Sequence, residues 1–381
     1  MPMTVRSRLV GLSGLAVAAL VGVVASGAAN AAVSENPVVT PVFNGPVYAV
    51  ATAGNVVYVG GEFNSAVVRG KQAVRTRLAA FDATTGALLN WAPAADRTVR
   101  AVAVDPDGSV WAGGDFQTVD GQPRDSLARI SAAGALDPVS FRVSGGSPRA
   151  LAVGHGRLYV AGVFNAVNGV KRGNVAAIDL ATRTLSGWSA RTDDVVNALA
   201  VGGDRVYLGG AFHRVNDVGS TARLIAVKRD GGAVDMGFRP RPDSIVWGVT
   251  VSGDRVYAAL GGRGGRAVSY TLNGVAKWAI TTDGDAQAIA ALGNTVYIGG
   301  HFDHVCRTAR NGDHGVCLDG SVSRVKLAAT DVDGKLLPWS PQGNGIRGVL
   351  ALVANAQVGV VAAGEFTMLD GRSQKRIAVF R

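Results

Sequence analysis

The chain is one unit written seven times. Val57-Tyr58-Val59-Gly60-Gly61-Glu62-Phe63 recurs as Val110-Trp111-Ala112-Gly113-Gly114-Asp115-Phe116 and, less completely, over residues 158–164, 206–212, 296–302 and 360–366. Between Phe212 and Phe302 a decayed copy, Val256-Tyr257-Ala258-Ala259-Leu260-Gly261-Gly262, supplies unit five. A period of about 50 residues suits helical solenoids as well as propellers, so the content of each unit has to decide.

That content is strand chemistry. In unit two an apolar run, Val99 to Val104, precedes the tight turn Asp105-Pro106-Asp107-Gly108, and the Gly-Gly run follows it. A loop of roughly ten residues leads to a third run, as in Leu78-Ala79-Ala80-Phe81 or Val175 to Ile178, and a turn such as Ala83-Thr84-Thr85-Gly86 leads to a fourth. No segment sustains a helical period. The expectation is an all-β fold, a seven-bladed β-propeller of four-stranded blades.

The ends of the chain read as complementary. Arg376-Ile377-Ala378-Val379-Phe380 is a third strand with no fourth after it, whereas Pro41-Val42-Phe43-Asn44 reads as the close of a fourth strand preceding the first. The N-terminal strand is therefore expected to complete the last blade, making residues 32–381 a single domain. The fourth runs end on an aromatic at one register: Phe43, Trp91, Phe141, Trp188, Phe238, Trp278 and Trp339. One ring in every unit predicts packing wedges between blades.

Gly-Gly-x-Phe followed by Asp-Gly or Asn-Gly, Leu-Ala-x-Phe-Asp and Thr-Gly resembles the short β-propeller repeats of secreted bacterial proteins, most of them without assigned function. The resemblance spans essentially the whole chain after residue 31. A weaker one is to quinoprotein dehydrogenase-like repeats: Ala80-Phe81-Asp82-Ala83-Thr84-Thr85-Gly86 with Trp91 matches their signature apart from one extra residue. It implies tryptophan packing between blades more than it implies a quinone. Those enzymes usually have eight blades.

Arg6 and Arg8, an uncharged stretch from Leu9 to about Ala25, and Ala29-Asn30-Ala31 together read as a signal peptide over residues 1–31. A secreted, extracellular protein follows, with no membrane insertion after cleavage. Its only cysteines, Cys306 and Cys317, are then expected to form a disulfide. Lys plus Arg outnumber Asp plus Glu by 38 to 28, but the arginines are scattered with no run of like charge. No nucleic-acid partner is expected, and a monomer is.

Two sets of acids stand out. Before the first strand of each unit comes Asn44, Asp96, Gly145, Asp193, Asp243, Asp283 or Gly343. Asp96 is a candidate ligand-binding residue, and Asp193, Asp243 and Asp283 are candidate metal ligands, Ca2+ being the cation such oxygens would suit; the same acids could instead accept backbone hydrogen bonds in the turns. The second set lies just before the Phe of the motif: Glu365, Glu62 and Asp115 on units seven, one and two, with His301 on unit six. Confined to one arc, these four are candidate ligand-binding residues, and the three acids weak catalytic ones.

The reading that results is a secreted β-propeller binding protein that presents its loop-rich face to an extracellular glycan or protein, without catalysis. The alternatives are a carbohydrate-active enzyme, hydrolase or lyase, and a cofactor-dependent quinoprotein-like dehydrogenase.

Overall fold

The computed structural model describes residues 32–381; the signal-peptide reading of residues 1–31 lies outside them. The fold is all-β, a propeller-like arrangement of small antiparallel sheets. Each unit has a three-strand core built in chain order. In unit one Val47–Ala53 pairs with Val56–Gly61, which pairs with Leu78–Asp82. The first strands pack side by side in sequence order, and Val47–Ala53 also packs beside Val349–Asn355 of unit seven.

The paired glycines of the motif answer two close approaches. A Cβ on Gly60 would strike the Val99 side chain of the next unit, and one on Gly61 would strike the Pro46 carbonyl of its own unit. Successive sheets can therefore stack closely, and the cores between them are aliphatic and aromatic.

The fourth segments depart from expectation. Ala276–Thr281 is a full strand, but Leu88, Val234 and Leu336 keep only an isolated bridge to their third strands. Proline accounts for much of this. Pro93, Pro240, Pro338 and Pro341 lie in or just after the reduced segments, and a residue without an N–H shortens an outer-edge ladder; the regular segment of unit five has none. The tails of six of the fourth segments instead hand over to the next unit's outer hairpin. Val42–Phe43 pairs with Ala66–Val67, Val143–Ser144 with Ala166–Val167, and single bridges join Ala95 to Val119, Thr192 to Val215, Thr282 to Val305 and Gly343 to Leu369.

The aromatic wedges sit between units. Trp91, Trp188 and Trp278 donate their indole N–H to the carbonyls of Ser131, Lys228 and Val332 in the following unit. Trp91 and Trp188 also meet Tyr58 and Tyr159 edge-on at about 5 Å. The N-terminal segment lies along the last strand: the Ser34 N–H reaches the Arg381 carbonyl and the Val38 N–H the Val379 carbonyl, both at 2.8 Å.

Arginine has a repeated structural duty. Arg75, Arg124, Arg172 and Arg324 each donate to a carbonyl of their own unit's fourth segment, at Leu89, Asp137, Ser186 and Leu337. A rigid, always-charged fork suits that role better than lysine does. Cys306 and Cys317 are joined as a disulfide. Among the described residues, no helix is long and apolar enough to cross a membrane.

Candidate functional site

Every first strand is interrupted by a bulge at one register. Pairing with the second strand slips between Val47 and Ala49, Val99 and Ala101, Pro148 and Ala150, Val196 and Ala198, Val246 and Gly248, Ala286 and Ala288, and Val349 and Ala351. A bulge leaves one residue unpaired and re-aims its side chain. The residues so placed are Tyr48, Arg100, Arg149, Asn197, Trp247, Gln287 and Leu350. With Arg347 they line one recess of about 310 Å3 at the central mouth. Deeper in, the space narrows to about 200 Å3 among aliphatics such as Val50, Leu199, Ile289 and Leu352. No motif search singles out these residues. The signal lay in the repeat itself, as the one variable place between near-constant small or β-branched neighbours.

The arc of acids ahead of the motif Phe borders this mouth, and each acid is engaged. The Arg100 Nε–H is shared between both Asp115 oxygens, at 2.9 and 2.8 Å, and the Ser147 hydroxyl donates to Asp115 at 2.7 Å. Burial pushes its carboxyl up, but those bonds outweigh it and hold the group below the usual carboxylate range. Glu62 accepts the Tyr48 hydroxyl at 3.0 Å; burial first, then that bond, raises the phenol. Glu365 accepts from Arg347 at 3.0 Å, and the Arg347 guanidinium also sits over the Tyr48 ring. His301 turns its Nδ1 to the Asp285 backbone N–H.

Three groups at the mouth are less committed. The Nε1 of Trp247 and the Oε1 of Gln287 are buried with no hydrogen-bond partner. Arg149 reaches only Asn197, at 3.5 Å, and no carboxylate among the described residues pairs with it. At the two buried groups a ligand gains most, because their desolvation is already in place.

The acids before the first strands do a different job. One Asp96 oxygen accepts the N–H groups of Gln117 and Thr118; Asp193 does the same for His213 and Arg214, and Asp283 for Asp303 and His304. Asn44 and Asn344 repeat the arrangement in units one and seven, so Asn344 and not Gly343 holds that register. In Asp96 and Asp193 burial raises the carboxyl, yet these backbone bonds outweigh it and leave it low. Asp283 is held low in the same way, helped by the His304 ring at 2.8 Å. Asp243 differs, pairing with Arg266 at 2.6 Å. Among the described residues no three metal-ligating side chains come together; Asp193 and Asp283 each hold a separate turn, and Asp243 holds Arg266.

A family model described as "Domain of unknown function (DUF5122) beta-propeller" matches residues 106–138. Among solved structures, the WD40 β-propeller domain of Doa1 is similar at a TM-score of 0.55 and 10% identity, over 91% of this chain and 96% of that one. A computationally designed protein, Ika8, is similar at 0.51 and 15%, over 91% and 99%. No curated protein matches the sequence. The fold is β-propeller-like, distantly similar to the WD40 and DUF5122 propellers. At these identities the likeness concerns the fold alone.

Proposed function

We propose that the chain is an exported seven-bladed β-propeller, one domain over residues 32–381, closed by its N-terminal segment and binding an extracellular glycan at its central mouth without chemistry. The closure draws support from the bonds of Ser34 and Val38 to the last strand and from the contact between the first strands of units one and seven. The binding reading rests on one observation: seven bulges deliver Tyr48, Arg100, Arg149, Asn197, Trp247, Gln287 and Leu350 to one mouth. Indole and phenol rings, paired amides and an uncommitted guanidinium are what a sugar ring with its hydroxyls requires.

The catalytic alternative finds less support. A glycosidase acid needs a raised pKa, and Asp115 is held low by Arg100. The tryptophans behind the quinoprotein resemblance are spent between units. The test is a glycan array probed with the protein and with Trp247→Ala. Specific sugars retained by the protein and lost by the variant are expected. An array blank for both, or hits indifferent to the substitution, would remove the glycan reading and leave a protein ligand as the remaining partner.

A further inference from the structure

Units four and five meet unlike any other pair. Among the described residues every other junction is stitched by a bridge from a fourth-segment tail to the next hairpin. Unit five forms no hairpin: its chain runs from Leu260 to Arg266 through Gly261-Gly262-Arg263-Gly264-Gly265. The disulfide loop of unit six leans over the shortened side. Its Asn311 side chain donates to the Thr282 carbonyl, and a Cβ on Gly315 would strike the Asp283 carbonyl.

What remains between the glycine turn and the disulfide loop is a cavity of about 440 Å3, larger than the mouth and sharing no lining residue with it. Arg263, Arg266 and Arg310 line it against a single carboxylate, Asp243, and Ser244 adds a hydroxyl. Arg266 is tied to Asp243 and Arg310 to Asp319, which lies outside the lining; Arg263 meets only Asp313, at 3.8 Å. Within the lining itself three guanidiniums face one carboxylate, their other two partners, Asp313 and Asp319, lying outside it.

We infer that this cavity binds a tetrahedral oxyanion ester, a sulfate or phosphate group carried on an extracellular ligand. Guanidinium forks present paired donors matched to such an anion, and three of them around one recess can engage several of its oxygens. The glycine turn packs closely against Ser244 and Asn311, and the disulfide ties down the opposite wall. The inference stands on these residues alone and does not depend on the mouth.

Calorimetric titration of the protein with glucose 6-phosphate, glucose 6-sulfate and glucose tests it. Saturable binding of at least one ester and none of glucose is expected, and the two ester arms identify the anion. Arg263→Gln combined with Arg310→Gln should weaken binding at least about tenfold, with an unchanged melting temperature because both side chains are largely exposed. Arg229→Gln combined with Arg142→Gln, elsewhere on the surface, controls for the two lost charges. Failure of both esters to bind, binding indifferent to the arginine pair, or an equal loss in that control would overturn the inference. Loss in Arg149→Leu would move the ester to the mouth and overturn it as well.

Discussion

Trp339 donates its indole N–H to the carbonyl of Ser34, at 3.5 Å and across a separation of 305 residues. It is the bond that Trp91, Trp188 and Trp278 make to the unit that follows each of them. The N-terminal segment therefore meets unit six in the way that unit two meets unit one. Two hydrogen bonds, from Ser34 and Val38, fix the same segment to the last strand.

Removing residues 32–43 should consequently cost more than a frayed end. It would strip the edge of Ile377–Phe380 and take away Phe43, which is buried 4.4 Å from Phe63. Thermal unfolding should fall by several degrees and lose cooperativity. An unchanged, single transition would contradict closure by this segment.

The disulfide shapes the wall between units five and six. Cys306→Ser frees a loop whose ends are 11 residues apart, which the loop-entropy model values at roughly 3 kcal/mol before strain. Denaturant titration should show that loss, and limited proteolysis should cut first between residues 306 and 317. Equal stability and equal cutting would show the crosslink to be idle.

Arg129 is buried in the second unit, pairing with Asp105 at 3.0 Å, Asp137 at 2.6 Å and Asp107. Arg129→Met strands two buried carboxylates and should cost about 3–5 kcal/mol. The acid limb of stability follows from the same cluster. Asp107 is lowered chiefly by the Ser109 backbone N–H; in Asp137 burial raises the carboxyl, but the Val139 N–H and Arg129 outweigh it. Both contribute stability that is complete above the unfolded value of about 3.9 and lost as pH falls through the depressed folded values. Melting temperature should thus drop more steeply below pH 4 in the parent than in Arg129→Met.

Much of this was legible in the sequence because the repeat is legible. The Gly-Gly-x-Phe copies located every second strand, the aromatic register located the wedges, and the two cysteines their bond. What escaped was what a linear pattern does not carry. A bulge sets two residues against one, so Arg100 or Trp247 looks like an ordinary strand residue until the pairing is seen. The scatter of arginines along the chain hides that Arg75, Arg124, Arg172 and Arg324 each hold a particular carbonyl. The register of unit seven was displaced by one residue, hiding Asn344 behind Gly343.

The most direct measurement is equilibrium binding of an array-identified glycan to the protein, with the same mixture assayed for product. Saturable binding with the glycan recovered intact, and affinity lost in Trp247→Ala combined with Arg149→Leu, is the predicted result. Release of shortened or unsaturated sugar that Glu62→Gln or Glu365→Gln abolishes would contradict a binding mouth and make the carboxylate arc an active site.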